Sequence, residues 1–228
     1  IYNSANLTYW SVPTSSGTGR YYAASNQTSL FFNDTTTLQH SLASKSVSQF
    51  SSTQTSIGET LTYTLTITFP QGTSVGVNVT ENLAPSQYQS SRLSLVSASI
   101  TFMGSQLTST NGLTLGSLGT YQDNSFSDGI LDTAVFNFGN VINAWDNINN
   151  VQDNVVITVT ALVINDTVHN IRGNTVGASA SVTNSYRSSP IQVVTPAVTI
   201  QEPLLSVGLF INGQTTNTWY GGENVTMT

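Results

Sequence analysis

Leu61-Thr62-Tyr63-Thr64-Leu65-Thr66-Ile67-Thr68-Phe69 decides the fold class. Leu61, Tyr63, Leu65, Ile67 and Phe69 fall on one side of an extended chain, and Thr62, Thr64, Thr66 and Thr68 on the other. A strict period of two is the signature of a strand with one buried and one wet face. Pro70 and the Gln71-Gly72 turn end it. Val75, Val77 and Val79 then alternate with Gly76, Asn78 and Thr80, so the two runs read as an antiparallel hairpin.

Further strands are expected at 7–11, 21–24, 29–32, 93–102, 134–138, 155–164, 178–186, 191–194, 197–201 and 204–211. No stretch carries a sustained 3.6-residue apolar pattern with caps. Short strands at this spacing predict an all-β, immunoglobulin-like antiparallel β-sandwich. The strand at 61–69 is expected to be central, with Tyr63, Leu65 and Ile67 buried.

The same run opens a repeat. Gly58-Glu59-Thr60-Leu61-Thr62-Tyr63-Thr64 reappears as Gly222-Glu223-Asn224-Val225-Thr226-Met227-Thr228. Leu42-Ala43-Ser44-Lys45-Ser46-Val47 precedes the first copy, and Leu204-Leu205-Ser206-Val207-Gly208-Leu209 the second. Ser4-Ala5-Asn6-Leu7-Thr8 echoes Ser179-Ala180-Ser181-Val182-Thr183. Self-similarity of this kind indicates an array. Residues 1–40 are therefore read as N-terminal strands completing an adjacent unit, 41–201 as one whole unit, and 202–228 as the opening strands of a further unit. From Gly58 to Gly222 is about 164 positions, more than the roughly 100 residues of an immunoglobulin sandwich. The excess is placed near 103–154 as a loop-rich insertion.

Composition narrows the functional classes. Charged residues make up 7% of the 228, against roughly 25% in an average domain. The net charge is −6, and the basic residues, Arg20, Lys45, Arg92, Arg172 and Arg187, do not cluster. Nucleic acid and anionic membrane surfaces are poor partners for such a chain. There is no Cys, and no apolar run approaches the roughly 18 residues of a membrane span. The two histidines, His40 and His169, sit in no nucleophile or metal-ligand motif. No enzyme activity and no cofactor are expected.

The string from Ile57 to Thr73, with Val77-Asn78-Val79-Thr80-Glu81-Asn82-Leu83-Ala84-Pro85, resembles the tandem immunoglobulin-like repeats of large bacterial and archaeal surface proteins, a family of unassigned function. Glu81 and Ala84-Pro85 stand where that pattern usually has Asp and Leu-Pro. Ala180-Ser181-Val182-Thr183-Asn184 and Ile200-Gln201-Glu202-Pro203-Leu204-Leu205 are similar to its unit-to-unit junction. The resemblance implies extracellular scaffolding, adhesion or filament structure.

Several residue sets invite a local function. Asp123, Asp128 and Asp132, with Asp146, Asp153 and interleaved Asn residues, offer oxygen ligands of the kind calcium takes, although Asp128-Gly129 also reads as a plain turn. Lys45, the single lysine, reads as an edge-strand residue, with an isopeptide partner as the alternative. Asn6, Asn26, Asn33, Asn78, Asn165 and Asn224 begin Asn-x-Thr sequons, all ending in Thr, and are candidate glycosylation sites. Tyr9, Trp10, Tyr21 and Tyr22, with Leu7, Val225 and Met227, are expected to pack at unit-to-unit interfaces rather than to bind sugar. Two readings follow: a head-to-tail homopolymer forming a cell-surface fibre by strand complementation, or a stalk or glycan-binding module of a large adhesin.

Overall fold

The computed structural model describes residues 2–10, 21–29, 36–46, 51–88, 92–124, 126–146, 148–201, 210–211 and 214–215. Two compact units divide the chain, Ile1–Asp34 and Thr35–Thr228. In the first, β1 (Tyr2–Trp10) pairs antiparallel with β2 (Tyr21–Ser29), from Tyr2 opposite Ser29 to Trp10 opposite Tyr21. One continuous strand thus replaces the expected start at 21–24, and 30–32 lie outside the described residues.

The second unit is an antiparallel β-sandwich. Its strands are β3 (Thr37–Lys45), β4 (Gln54–Thr55), β5 (Thr60–Thr68), β6 (Gly72–Asn82), β7 (Leu93–Met103), β8 (Leu107–Ser109), β9 (Thr120–Gln122), β10 (Thr133–Asn143), β11 (Asn154–Val163), β12 (Thr175–Val176), β13 (Ser179–Thr183), β14 (Ile191–Val194), β15 (Val198–Ile200), β16 (Phe210–Ile211) and β17 (Gln214–Thr215). One sheet runs β3-β5-β11-β7 and the other β14-β13-β6-β10-β8, with β9 also on β10. A small sheet, β12-β15-β4, holds the one parallel pair among the described strands, β15 on β4. No α-helix occurs among the described residues.

The core lies between the two large sheets. Leu61, Tyr63, Leu65 and Ile67 of β5 are fully buried, as are Val155, Ile157 and Val159 of β11. Val77, Val79, Phe136, Phe138, Ala180 and Val182 face them from the other sheet. β5 is interior to its sheet, as its alternation requires.

Three expectations change. The runs at 61–69 and 75–79 do not form a hairpin: β5 and β6 lie in opposite sheets. Pro70 has no N–H to continue a ladder, and Phe69 is buried with its N–H on Asp153 O, so the chain crosses the core instead of turning beside itself. The boundary at 40/41 falls inside β3, whose Leu38 and His40 are already in the core. The region 103–154 is not all insertion, because β10 is an interior strand carrying Phe136, Phe138 and Val141 inward. What is inserted is the flap before β10. Its Gly116 and Ser117 backbone pairs with Ile100 on the edge of β7, while β8 and β9 pair with β10. One side of the sandwich is closed in this way.

Strand registers define two poles. At the leading pole β3 begins, Thr37 opposite Thr68, beside Asn154 of β11 and the Gly72–Asn143 pair. At the trailing pole Gln201 N–H bonds Thr55 O, next to the start of β5. The Gly-Glu motif shapes that corner. Gly58 takes φ +82°, which favours glycine, and buried Glu59 accepts from Thr55 Oγ1 (2.7 Å) and Ser56 N–H (3.1 Å).

Candidate functional site

Alternation along β6 places Val77, Val79, Glu81 and Leu83 on one side, and all four are buried. A carboxylate therefore stands in the core. Alternation along β3 does the same for Leu38 and His40. His40 Nε2 approaches Glu81 Oε1 at 3.0 Å, with the two side chains 0% and 1% exposed. The pair joins opposite sheets. The Tyr63 ring lies beside the imidazole, centroids 5.7 Å apart and tilted by 51°.

Polar satisfaction is incomplete there. The approach of His40 to Glu81 is close without being an aligned hydrogen bond, and His40 Nδ1, Glu81 Oε2 and Tyr63 Oη have no hydrogen-bonding partner among the described residues. Burial pushes the Glu81 carboxyl up to about 7, against the opposing pull of His40. Burial, then the nearby Glu81 charge, raises the Tyr63 phenol far above its ordinary range. In a low-dielectric core an isolated charge is costly. Closed to solvent, these groups tie β3 to β6 across the core.

The expected calcium residues are used otherwise. Asp123 accepts from the N–H of Ser127 and of Gly129. Asp128 accepts from Ile130 N–H and pairs with Arg92. Asp132 accepts from Asn124 N–H and the Thr133 hydroxyl. Among the described residues no group of three or more His, Cys, Asp or Glu side chains is placed to hold a metal. Asp153 accepts from buried Asn143 Nδ2 and from Asn150 N–H, capping the turn before β11. Asp146 Oδ1 accepts from Gln71 and from Ile148 N–H.

Arg92 gathers a second cluster at the trailing pole. It contacts Asp128 and Asp166 and lies 4.1 Å from the Phe126 ring centre. His169 Nδ1 meets Asp166 Oδ2 at 2.8 Å. Partial burial would raise the Asp166 carboxyl, but the N–H groups of Val168 and His169 and the His169 ring outweigh it and hold it low. Lys45, on the edge strand β3, is half-buried, and its ammonium donates to Ser51 O and Gln54 O. Neither acceptor is an acid.

The other expected sites divide. Leu7, Tyr9 and Trp10 lie on β1 and Tyr21 and Tyr22 on β2, with Tyr9 opposite Tyr22 in register. Asn6 and Asn26 lie on the same hairpin. Asn78 is half-buried on β6, and Asn165 is exposed after β11. Asn33, Asn224, Val225 and Met227 lie outside the described residues.

No family model matches the chain, and no curated protein sequence does either. Some solved structures are similar in part. A DUF4466 family protein from Parabacteroides merdae is similar over 81% of this chain and 55% of its own, at 14% identity and a TM-score of 0.35. The full-length major pilin SpaD from Corynebacterium diphtheriae is similar over 72% and 35%, at 14% identity and 0.36. BcpA, the major pilin subunit of Bacillus cereus, is similar over 80% and 49%, at 10% identity and 0.39. The chain thus spans about a third to about half of these proteins. The fold rests on strand order and register. Among the described residues no helix is long and apolar enough to cross a membrane.

Proposed function

We propose that this chain is a structural unit of an extracellular, pilus-like fibre, in which immunoglobulin-like sandwiches follow one another head to tail by strand complementation. The observation that carries the reading is the path of the chain. It enters the sandwich at the leading pole through β3 and leaves at the opposite pole after β15. A unit threaded in this way propagates along a line.

The N-terminal hairpin supports the strand-sharing part. β1 matches β13 in sequence, and each pairs antiparallel with the strand that follows it. β13 is flanked on its other side by β6, whereas among the described residues β1 has β2 alone. An unpaired strand edge is a template for another strand. The sequons fit an extracellular setting, and we expect at least one of Asn6, Asn26, Asn33, Asn78, Asn165 and Asn224 to carry a glycan.

Deletion of residues 1–35 tests the reading. The core residues run from Leu38 to Ile200, so the deleted protein should fold, with an unchanged β-sheet circular dichroism spectrum. It should no longer form filaments by negative-stain imaging. Filaments from the deleted protein would remove strand complementation. Intact-mass measurement of native material at the bare 24.3 kDa would remove the glycan.

A further inference from the structure

We infer that the two poles of the sandwich dock on each other between successive copies, the trailing pole's 167–172 segment seating in a pocket of the next copy's leading pole. This rests on the head-to-tail reading above and supplies an interface which that reading leaves unnamed.

The outer sheet faces are polar, with Thr62, Thr64 and Thr66 of β5 only partly covered. Exposed apolar side chains occur on β7 (Val96), on the flap (Leu115 and Leu118) and in a group at each end. Trp145 (67% exposed), Ile148 and Val151 stand at the leading pole, and Val168 (71% exposed) and Ile171 at the trailing pole. Apolar groups grouped on a surface mark a contact site.

Shape and charge then select the partner. The leading pole is concave: a cavity of about 550 Å3 opens there, lined by Phe69, Pro70 and Ile148 with Thr37 and Thr68. The trailing pole's 167–169 turn carries exposed Val168. Arg172 is exposed there and has no ion pair among the described residues. Two acids of the same pole, Asp128 and Asp166, are already taken by Arg92. At the leading pole Asp146 commits Oδ1 to Gln71 and Ile148 N–H, and the pocket lining contains no cation. A turn beside a cation is therefore matched to a pocket whose lining residues Gln71 and Ile148 are bonded by the Asp146 carboxylate. The chain path supplies the order, since the pole that the chain leaves is the one presented to the pole that the next unit enters. The occupant is accordingly a second copy of this sandwich. A single turn seated in one pocket need not reach the roughly 1,000 Å2 of a stable free interface. It acts through the high effective concentration that shared strands provide.

Because the chain has no Cys, introduced thiols report cleanly. Ile148→Cys chains mixed with Val168→Cys chains, and Trp145→Cys with Ile171→Cys, should form disulfide dimers at least tenfold faster than Val168→Cys with Leu115→Cys, which lies on the flap. Arg172→Glu should slow the pole pairs, and Asp146→Lys in the partner should restore them. Filaments that form while the pole pairs cross-link no faster than the flap control would overturn pole docking and leave the fibre reading intact. Absence of both filaments and cross-links would overturn the two together.

Discussion

The sandwich contains two histidine–carboxylate pairs of nearly equal length. His40 meets Glu81 at 3.0 Å and His169 meets Asp166 at 2.8 Å. Their surroundings differ. The first pair is closed inside the core with apolar neighbours and unsatisfied atoms. The second lies at the rim, half-covered, with backbone N–H groups and Arg92 on the same carboxylate. Burial drives the Glu81 carboxyl up, and hydrogen bonds drive the Asp166 carboxyl down. Distance alone says little about an ion pair; what else reaches the carboxylate decides its charge and its contribution to stability.

The contrast breaks most severely at Leu65, which stands in register with His40. Leu65→Asp adds a second buried carboxylate without a partner. The cost of several kcal/mol is on the order of a whole domain's stability, so thermal melting of this variant should show no cooperative transition. Glu81→Ala comes next. It strands His40 and should lower stability by about 3–5 kcal/mol in urea unfolding, whereas His40→Leu combined with Glu81→Leu should be neutral to stabilising.

The pH dependences should run in opposite directions. Glu81 has a raised folded pKa, so its contribution is complete below the ordinary carboxylate range and is lost as pH rises through about 7. Unfolding free energy should therefore fall between about pH 4.5 and 7, and the fall should vanish in the double Leu variant. Asp166 has a depressed folded pKa, so its contribution is present at neutral pH and lost in acid, below about 4. The smallest effect belongs to Asp166→Asn, below about 1 kcal/mol for a rim pair. A loss there as large as that of Glu81→Ala would erase the distinction.

Legibility in the sequence followed the strength of the alternation. β5 and β11 alternate without a break, and their buried faces were plain. β3 is faint in the sequence because Thr37, Gln39, Ser41 and Ser44 dilute a pattern in which Leu38, His40 and Leu42 point inward or partly so. The signal for the buried pair was present all the same. Glu81 continues the inward series of Val77 and Val79, and a carboxylate in that series demands a partner. Adjacency in sequence misled at β5 and β6, since alternation reports which face is buried and not which sheet a strand joins. The side-chain uses of Asp123, Asp128 and Asp132 depended on backbone turns that composition does not reveal.

The threading of the chain has a mechanical consequence. A pull on both ends of the unit acts along β3 at one pole and along β15 at the other. β3 lies antiparallel to β5 along nearly its whole length, so tension slides the two strands past each other and strains many hydrogen bonds at once. The force is not delivered to one bond at a time, as it would be if the strand were peeled from the sheet edge. His40, on β3, adds a cross-tie to the opposite sheet through Glu81. Extension of the unit would then be resisted by shear of this first strand, and the part of that resistance held by the Glu81 tie would weaken as pH rises towards about 7.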